Sequence, residues 1–234
     1  MHDTENYLTK SMYMQFLQCP LKFKLAYIDK MPVTRTAAQI RGWNVHLFAE
    51  NFYKSVKIAG NDLIMPSLPP EFLFTDFEEL EMIKNFIEVQ SDRWKALMHE
   101  DDGIKRFFPV FSEKKFYNHD LRLKGVVDFS FLLNDSAALF ELKTSKNDTD
   151  TSSVFKELYF YKLLTDKQLE SDYLGVLFIR SKKTIVEKIN DEKLSTAKDE
   201  IARVQAQIAA KYFPPKKNEW CFNCDFKRIC PIWK

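Results

Sequence analysis

Asp128, Glu141 and Lys143 carry the chemistry most easily read from this chain, in the segment LKGVVDFSFLLNDSAALFELKTS. Asn134-Asp135 reads as a two-residue hairpin turn, which sets Asp128 opposite Glu141 with Cβ atoms roughly 4.5–5.5 Å apart. Lys143 lies two residues on and so shares Glu141's face of the strand. Adjacent carboxylates repel unless a cation or a shared proton compensates. An acid–acid–lysine cluster has the donors to hold Mg²⁺ or Mn²⁺ and leaves an ammonium to orient or deprotonate a water. Val126, Val127, Phe129, Phe131, Leu139, Phe140 and Leu142 surround these charges in sequence. Charges inside such apolar runs are costly unless paired, which argues for a built site over a solvated strand edge.

The second chemical feature is the cysteine set: Cys19, Cys221, Cys224 and Cys230, with none between 20 and 220. Cys221-x2-Cys224-x5-Cys230-Pro231 places three thiols in a segment too short to build a core of its own. A fourth ligand must come from Cys19, at the other end of the chain. An iron–sulfur cluster and zinc both accept four thiolates, and buried thiols without a ligand are the third reading. Disulfides fit poorly, because nothing in the N-terminal MHDTENYLTK resembles a secretory signal and the expected address is cytoplasmic.

Positioning these groups requires a folded core, and 234 residues with 45% hydrophobic content supply one large domain or two small ones. No apolar run reaches the ~18 residues of a membrane helix, so no membrane partner is expected. The five glycines form neither GxGxxG nor GxxxxGK[ST], which excludes a recognisable phosphate-cradling loop and, with it, ATP hydrolysis by this chain. The pattern predicts a helical region over residues 10–100. Ser11 is expected to cap a helix holding Met12, Phe16 and Leu17, and Pro20 to open the next. Thr36 opens a longer helix faced by Ile40, Trp43, Leu47, Phe48 and Phe52. A loop follows around Gly60, Pro66, Pro69 and Pro70. Thr75 and Glu78 then read as a capping box for a helix to about His99, faced by Phe77, Leu80, Phe86, Ile87, Trp94 and Leu97. Beyond residue 108 the period becomes alternating. Strands are expected at 110–117, 121–133, 136–143, 173–180 and 183–189, with helices at 151–165 and 191–212. The fold class is therefore α/β, with the cysteines on segments at both ends.

Gly125-Val126-Val127-Asp128 followed by Glu141-Leu142-Lys143 resembles the GxxD…ExK signature of the PD-(D/E)XK nucleases, in their RecB-like branch. Arg41-Gly42 with His46 resembles the helix that brings a histidine to the metal there, and Glu113 fits an acidic position on the first core strand. Glu157 and Tyr161 lie where that branch carries QxxxY, at i, i+4 on one helix face. The layout of Cys19-Pro20 and the three later cysteines is similar to the iron–sulfur nucleases of the branch, of the CRISPR-associated protein four and AddB types. The resemblance runs from about residue 10 to 234. It implies a restriction-endonuclease-like core, a mixed central sheet flanked by helices, over 108–190 of a single domain spanning 1–234. It implies termini stapled by a 4Fe–4S cluster on Cys19, Cys221, Cys224 and Cys230, with 213–234 as the cluster region. His46, Asp128 and Glu141 would bind Mg²⁺ or Mn²⁺, joined by the Leu142 carbonyl. Lys143 would position the attacking water, and Tyr161 would contact DNA or orient the site. Glu157 departs from the family glutamine, losing an amide donor and adding a negative charge that weakens DNA binding or calls for a compensating cation.

The formal charge is only +2, which excludes a histone-like polycation, yet it is unevenly spread. Residues 10–41 carry Lys10, Lys22, Lys24, Lys30, Arg35 and Arg41 against Asp29 alone. Residues 211–234 carry six basic side chains, Lys227 and Arg228 among them, against Glu219 and Asp225. With Phe23, Tyr27, Trp220, Phe222 and Phe226 interleaved, these ends suit a single DNA strand, phosphates on Lys22, Lys24, Arg41, Lys227 and Arg228 and bases on rings. The expected function is a metal-dependent deoxyribonuclease, an exonuclease on single strands or DNA ends, in CRISPR adaptation or in recombination and repair. Lacking a motor, it would take a helicase or a CRISPR integrase as partner. The alternative is a catalytically inactive, DNA-binding iron–sulfur assembly subunit.

Overall fold

The computed structural model of the protein describes residues 7–65, 76–149 and 151–233. In chain order the elements are β1 (Leu8–Thr9), α1 (Lys10–Gln18), α2 (Pro20–Phe23), α3 (Ala37–Ser55), β2 (Lys57–Ala59), β3 (Asp62–Ile64), α4 (Phe77–Leu97) and α5 (Gly103–Phe107). The core follows as β4 (Phe111–Asn118), β5 (Leu123–Leu133), β6 (Ser136–Lys143), α6 (Thr151–Thr165), β7 (Ser171–Phe178), β8 (Lys183–Lys188) and α7 (Asp191–Ala209). A π-helical turn, Lys24–Ile28, extends α2, and three 3₁₀ turns make up the tail from Glu219 to Trp233.

The central sheet is mixed. β5 pairs antiparallel with β4 and β6, β6 runs parallel to β7, and β8 returns antiparallel at the edge. Asn134 and Asp135 both take positive φ, 49° and 62°, the left-handed pair that a tight hairpin turn needs. The resulting register runs from Leu133↔Ser136 to Phe129↔Phe140, as the turn position requires. There the ladder stops. β6 goes on alone with β7, at Glu141↔Val176 and Lys143↔Phe178, while β5 stays with β4. β1 then adds in parallel at Leu8↔Leu123 and Thr9↔Lys124, on the edge of β5 that β6 has left. The two strands thus fork one residue before Asp128 and Glu141.

Helices cover both faces of the sheet. α1, α6 and α7 pack on one, burying Tyr13, Phe16, Leu158, Tyr161, Ile201 and Val204; α3, α4 and α5 pack on the other around Phe48, Phe52, Phe86, Trp94 and Phe107. Each such side chain contributes about 1.5–3 kcal/mol when removed from water. Behind Phe140 and Leu142 this second layer encloses an aromatic cavity of about 280 Å³.

Several local expectations need correction. Thr9, not Ser11, caps α1: the strand ends at Thr9, whose Oγ1 accepts from the Met12 N–H at 3.2 Å. Asp76 caps α4 by accepting from the Glu78 and Glu79 N–H groups, and Thr75 lies outside the described residues with Pro66, Pro69 and Pro70. Phe77, read as apolar face, is 78% exposed, because α4 buries the stripe of Met82, Ile83, Phe86, Gln90 and Trp94. Ile40 and Trp43 are likewise exposed, since only the later turns of α3 reach the core. β2 and β3 form a hairpin across Gly60, and α5 follows α4, where the pattern read as loop or unassigned. Phe23 and Phe226, placed in a DNA-facing patch, are buried.

Candidate metal centre and nuclease site

The fork creates the site by leaving strand edges without ladder partners. At its mouth the Leu142 N–H, which no longer meets β5, donates to Asp128 Oδ2 at 2.9 Å. Asp128 is thereby held across the gap. On its other side lies Glu113, opposite Asp128 in register but outside the ladder, between Ser112↔Phe129 and Lys114↔Val127. Glu113 has φ 46°, a left-handed conformation that costs a side-chain-bearing residue of order 1–3 kcal/mol. That distortion accompanies a carboxylate turned toward α3, where Glu113 Oε1 stands 3.4 Å from His46 Nδ1. His46 Nδ1 is also 3.6 Å from Asp128 Oδ2. One ligand atom each from His46, Glu113 and Asp128 lies within 4.8 Å of the others.

Glu141 is buried and its two oxygens differ. Oε1 accepts from Lys10 Nζ at 2.7 Å and from Lys143 Nζ at 2.9 Å. Oε2 is buried with no hydrogen-bond partner among the described residues. Lys143 also reaches both oxygens of Glu157 at 2.8 Å, and Lys10 reaches Glu157 Oε2 at 3.1 Å. Two ammoniums and two carboxylates therefore alternate at the base of the fork. Tyr161, 1% exposed, lies under Lys10 Nζ at 4.7 Å from its ring centroid; it faces the site's lysine and is closed to DNA.

The electrostatics follow from burial and these neighbours. Burial opposes charge on His46, but Asp128, Glu113 and Glu141 outweigh it and lift the imidazole to about 9. Burial and the adjacent Glu141 push the Asp128 carboxyl upward. Burial would do the same to Glu141, yet Lys10 and Lys143 hold its carboxyl well below the usual range. Both lysines are kept charged against their own burial, chiefly by Glu141. The fork thus contains a lysine-neutralised half, and a half where Glu113 and Asp128 outnumber the one basic group, His46. Imidazole with two or three carboxylates is a donor set suited to Mn²⁺ or Mg²⁺, and an unpartnered buried oxygen beside it is what such an ion would satisfy.

Above the site opens a cleft of about 570 Å³ lined by Gly42, Trp43, His46, Glu113, Thr144 and Arg180. Trp43, 62% exposed, is one helical turn from His46 on its rim. Arg41, expected to bind DNA, is engaged by Asp76 at 2.9 Å and Glu78 at 3.3 Å. Lys24 pairs with Asp29 at 2.5 Å, Lys22 lies beside the cysteines, Lys227 covers the Trp233 ring at 4.5 Å, and Arg228 is exposed. The expected basic patch is thus partly committed to intramolecular partners.

Lys216 Nζ donates to the Leu17 carbonyl and Asn218 Nδ2 to the Gln18 carbonyl, both at 2.9 Å, which draws the tail onto the end of α1. Cys19, Cys221, Cys224 and Cys230 consequently line one small pocket, together with Lys22, Lys216 and Lys227. The Asn218 N–H points at Cys221 Sγ at 3.3 Å.

Sequence reasoning singled out His46, Asp128, Glu141, Leu142, Lys143, Glu157 and Tyr161, and all seven converge at the fork. It missed Lys10 as a site residue, counting it only among the basic residues. The available signal was the demand for a cation to offset Glu157.

No curated protein matches the chain. Among solved structures 28 chains match, one being the crystal structure of SSO0001, which is 12% identical with a TM-score of 0.46 over 98% of this chain and 87% of that one. The family model described as the PD-(D/E)XK nuclease superfamily matches residues 7–231, from the strand that precedes Lys10 to the last turn after Cys230. By that match, which takes in every group gathered at the fork, the chain belongs to the PD-(D/E)XK nuclease superfamily.

Proposed function

We propose that the protein is a metal-dependent deoxyribonuclease that hydrolyses phosphodiester bonds at the fork, acting as an exonuclease on single strands or DNA ends. The observation that carries this is the convergence of His46, Glu113 and Asp128 ligand atoms within 4.8 Å, beside the unpartnered Glu141 Oε2. His46, Glu113, Asp128 and Glu141 would hold Mg²⁺ or Mn²⁺, and the Leu142 carbonyl is the further ligand that the family resemblance implies. The ion would supply Lewis-acid stabilisation of charge developing on the phosphate. Lys143 Nζ, poised between Glu141 and Glu157, orients the attacking water and offers a positive charge to the pentacovalent state. His46 and Glu113 line the cleft, so a strand enters along the rim that carries Trp43. Exposed Trp220 and Phe222 in the tail give a second stacking surface.

The cysteine pocket supports a 4Fe–4S cluster. Cys19, Cys221, Cys224 and Cys230 line one pocket, and four thiolates are the ligand set such a cluster takes.

The test of catalysis compares wild type with Lys143→Ala on end-labelled single strands, blocked at the 5′ or 3′ end, with Mg²⁺ or Mn²⁺. Metal-dependent shortening by wild type and a loss on the order of 10²–10³-fold in the variant are expected. Equal rates in the two proteins, or cleavage indifferent to chelator, would remove the assignment. The blocked ends report polarity. A role in CRISPR adaptation, or in recombination and repair with a helicase, is the setting that such an end-processing activity suits.

A further inference from the structure

Lys10 is a second half-buried lysine in a site whose chemistry needs only one. It is the first residue of α1, carried to the fork by the pairing of Leu8 and Thr9 with β5, and sits 2.7 Å from Glu141 and 3.1 Å from Glu157. Its two carboxylate partners are also those of Lys143. Charge at the base of the fork is therefore balanced two against two, and it is Glu157 that makes the second cation necessary. Without Lys10, Lys143 would face two carboxylates alone, the buried Glu141 and the half-buried Glu157. Without Glu157, two ammoniums would crowd a single Glu141 oxygen.

We propose that Lys10 and Glu157 form a compensated charge pair that sets the field at the metal site and, with Lys143, holds Glu141 by Oε1 so that Oε2 faces the ion. Lys10 is a positioning residue in this scheme, not one that touches the phosphate. The inference rests on the metal-dependent reading above and adds to it a residue from the chain's first helix. It also accounts for the acid at position 157: the extra negative charge is matched from α1, not from the DNA path.

The pair makes a signed prediction about the ion itself. In Lys10→Met one negative charge at the fork loses its partner, and in Glu157→Gln one positive charge does. At separations of several ångströms in a partly screened interior, a unit charge changes the affinity for a divalent ion by on the order of tenfold or more. Calorimetric titration of the DNA-free protein with Mn²⁺ should thus show tighter binding in Lys10→Met, weaker binding in Glu157→Gln, and return to within a few-fold of wild type in the double variant. Cleavage of single strands should fall in each single variant and recover in the double. Shifts of the same sign in both single variants, or a double variant worse than either, would falsify the pairing, since damage to packing moves both in one direction. Unchanged affinity in both overturns it equally.

A wild-type protein that binds no Mn²⁺ would instead overturn the metal-dependent reading. The compensation is then read from urea unfolding of the metal-free protein. Each single variant should have a lowered midpoint and the double a restored one; additive losses reject the pair.

Discussion

Glu113 combines a strained backbone with a ligand role, and the two are separable. In β4 a glutamate at φ 46° is disfavoured relative to glycine by about 1 kcal/mol, and its carboxylate faces another in Asp128. Glu113→Gly should therefore raise the urea midpoint of the metal-free protein, by roughly 1 kcal/mol of stability, while Mn²⁺ affinity falls at least tenfold. A variant that is less stable than wild type would show that the strain is not stored there. At this scale the sequence was informative about which residues matter and poor on how they are held. Asp128, Glu141 and Lys143 stood out because a two-residue turn and a period of two set them in register by counting, although the ladder ends at Phe129↔Phe140 and the two carboxylates face each other across the fork and not as a paired rung. The unusual φ of Glu113 and the docking of Lys10 were not, because neither leaves a local pattern: one is a backbone distortion, the other a contact between residues 131 positions apart.

Among the elements, α1 is tied to α7 by a polar side-chain contact. Tyr13 Oη donates to Glu200 Oε2 of α7 at 2.5 Å, and Lys156 of α6 reaches Glu200 Oε1 at 3.1 Å. Partial burial would raise the Glu200 carboxyl, but these partners hold it below its ordinary value. A carboxyl depressed in the folded state stabilises the fold above the unfolded value of about 4.3, and that contribution is lost as pH falls through the lower folded value. Urea midpoints measured from pH 6 to pH 3 should fall for wild type through this tie, and Glu200→Gln should show a shallower fall with a lower starting point. Parallel curves would rule out the contribution. Most elements were readable from periodicity, α6 to the residue, because long apolar patterns outweigh local noise. The misses fall on short pieces: β1 with two residues, the β2–β3 hairpin and α5 lack the length over which a period shows. Ile40, Trp43 and Phe77 misled for a different reason. Apolar residues at helical spacing were read as core, whereas the first turns of α3 run along the cleft and Phe77 at the start of α4 is exposed.

For the whole molecule, the decisive arrangement is that both ends of the chain fold back onto one side of the sheet. Phe213 packs against Phe16 and Phe23, and the tail's polar bonds to Leu17 and Gln18 carry the three later cysteines to Cys19. Iron and acid-labile sulfide in anaerobically purified protein should approach about four each per chain. Cys19→Ser should remove most of that iron although its own neighbours in sequence hold no other thiol. It should also open the tail to trypsin near Lys216 and Lys217. One zinc per chain and no iron would replace the cluster with a simple metal knot. That four cysteines converge was legible from their number, since three in a short segment leave a ligand wanting, and the lysines beside them were legible from the basic segments that carry those cysteines.

The strand of two residues that introduces Lys10 has a consequence for when the protein becomes active. β1 can dock only on a β5 already made, and Lys10 finds its carboxylates only once β6 and α6 exist, well over half the chain later. During vectorial synthesis the first helix must wait for its seat, and long-range closure of this kind comes late in folding. A nascent or truncated chain would carry the sheet's acids without the charge that orders them. The centre is thus complete only when α1 has docked, because the cation that balances Glu157 arrives with that helix.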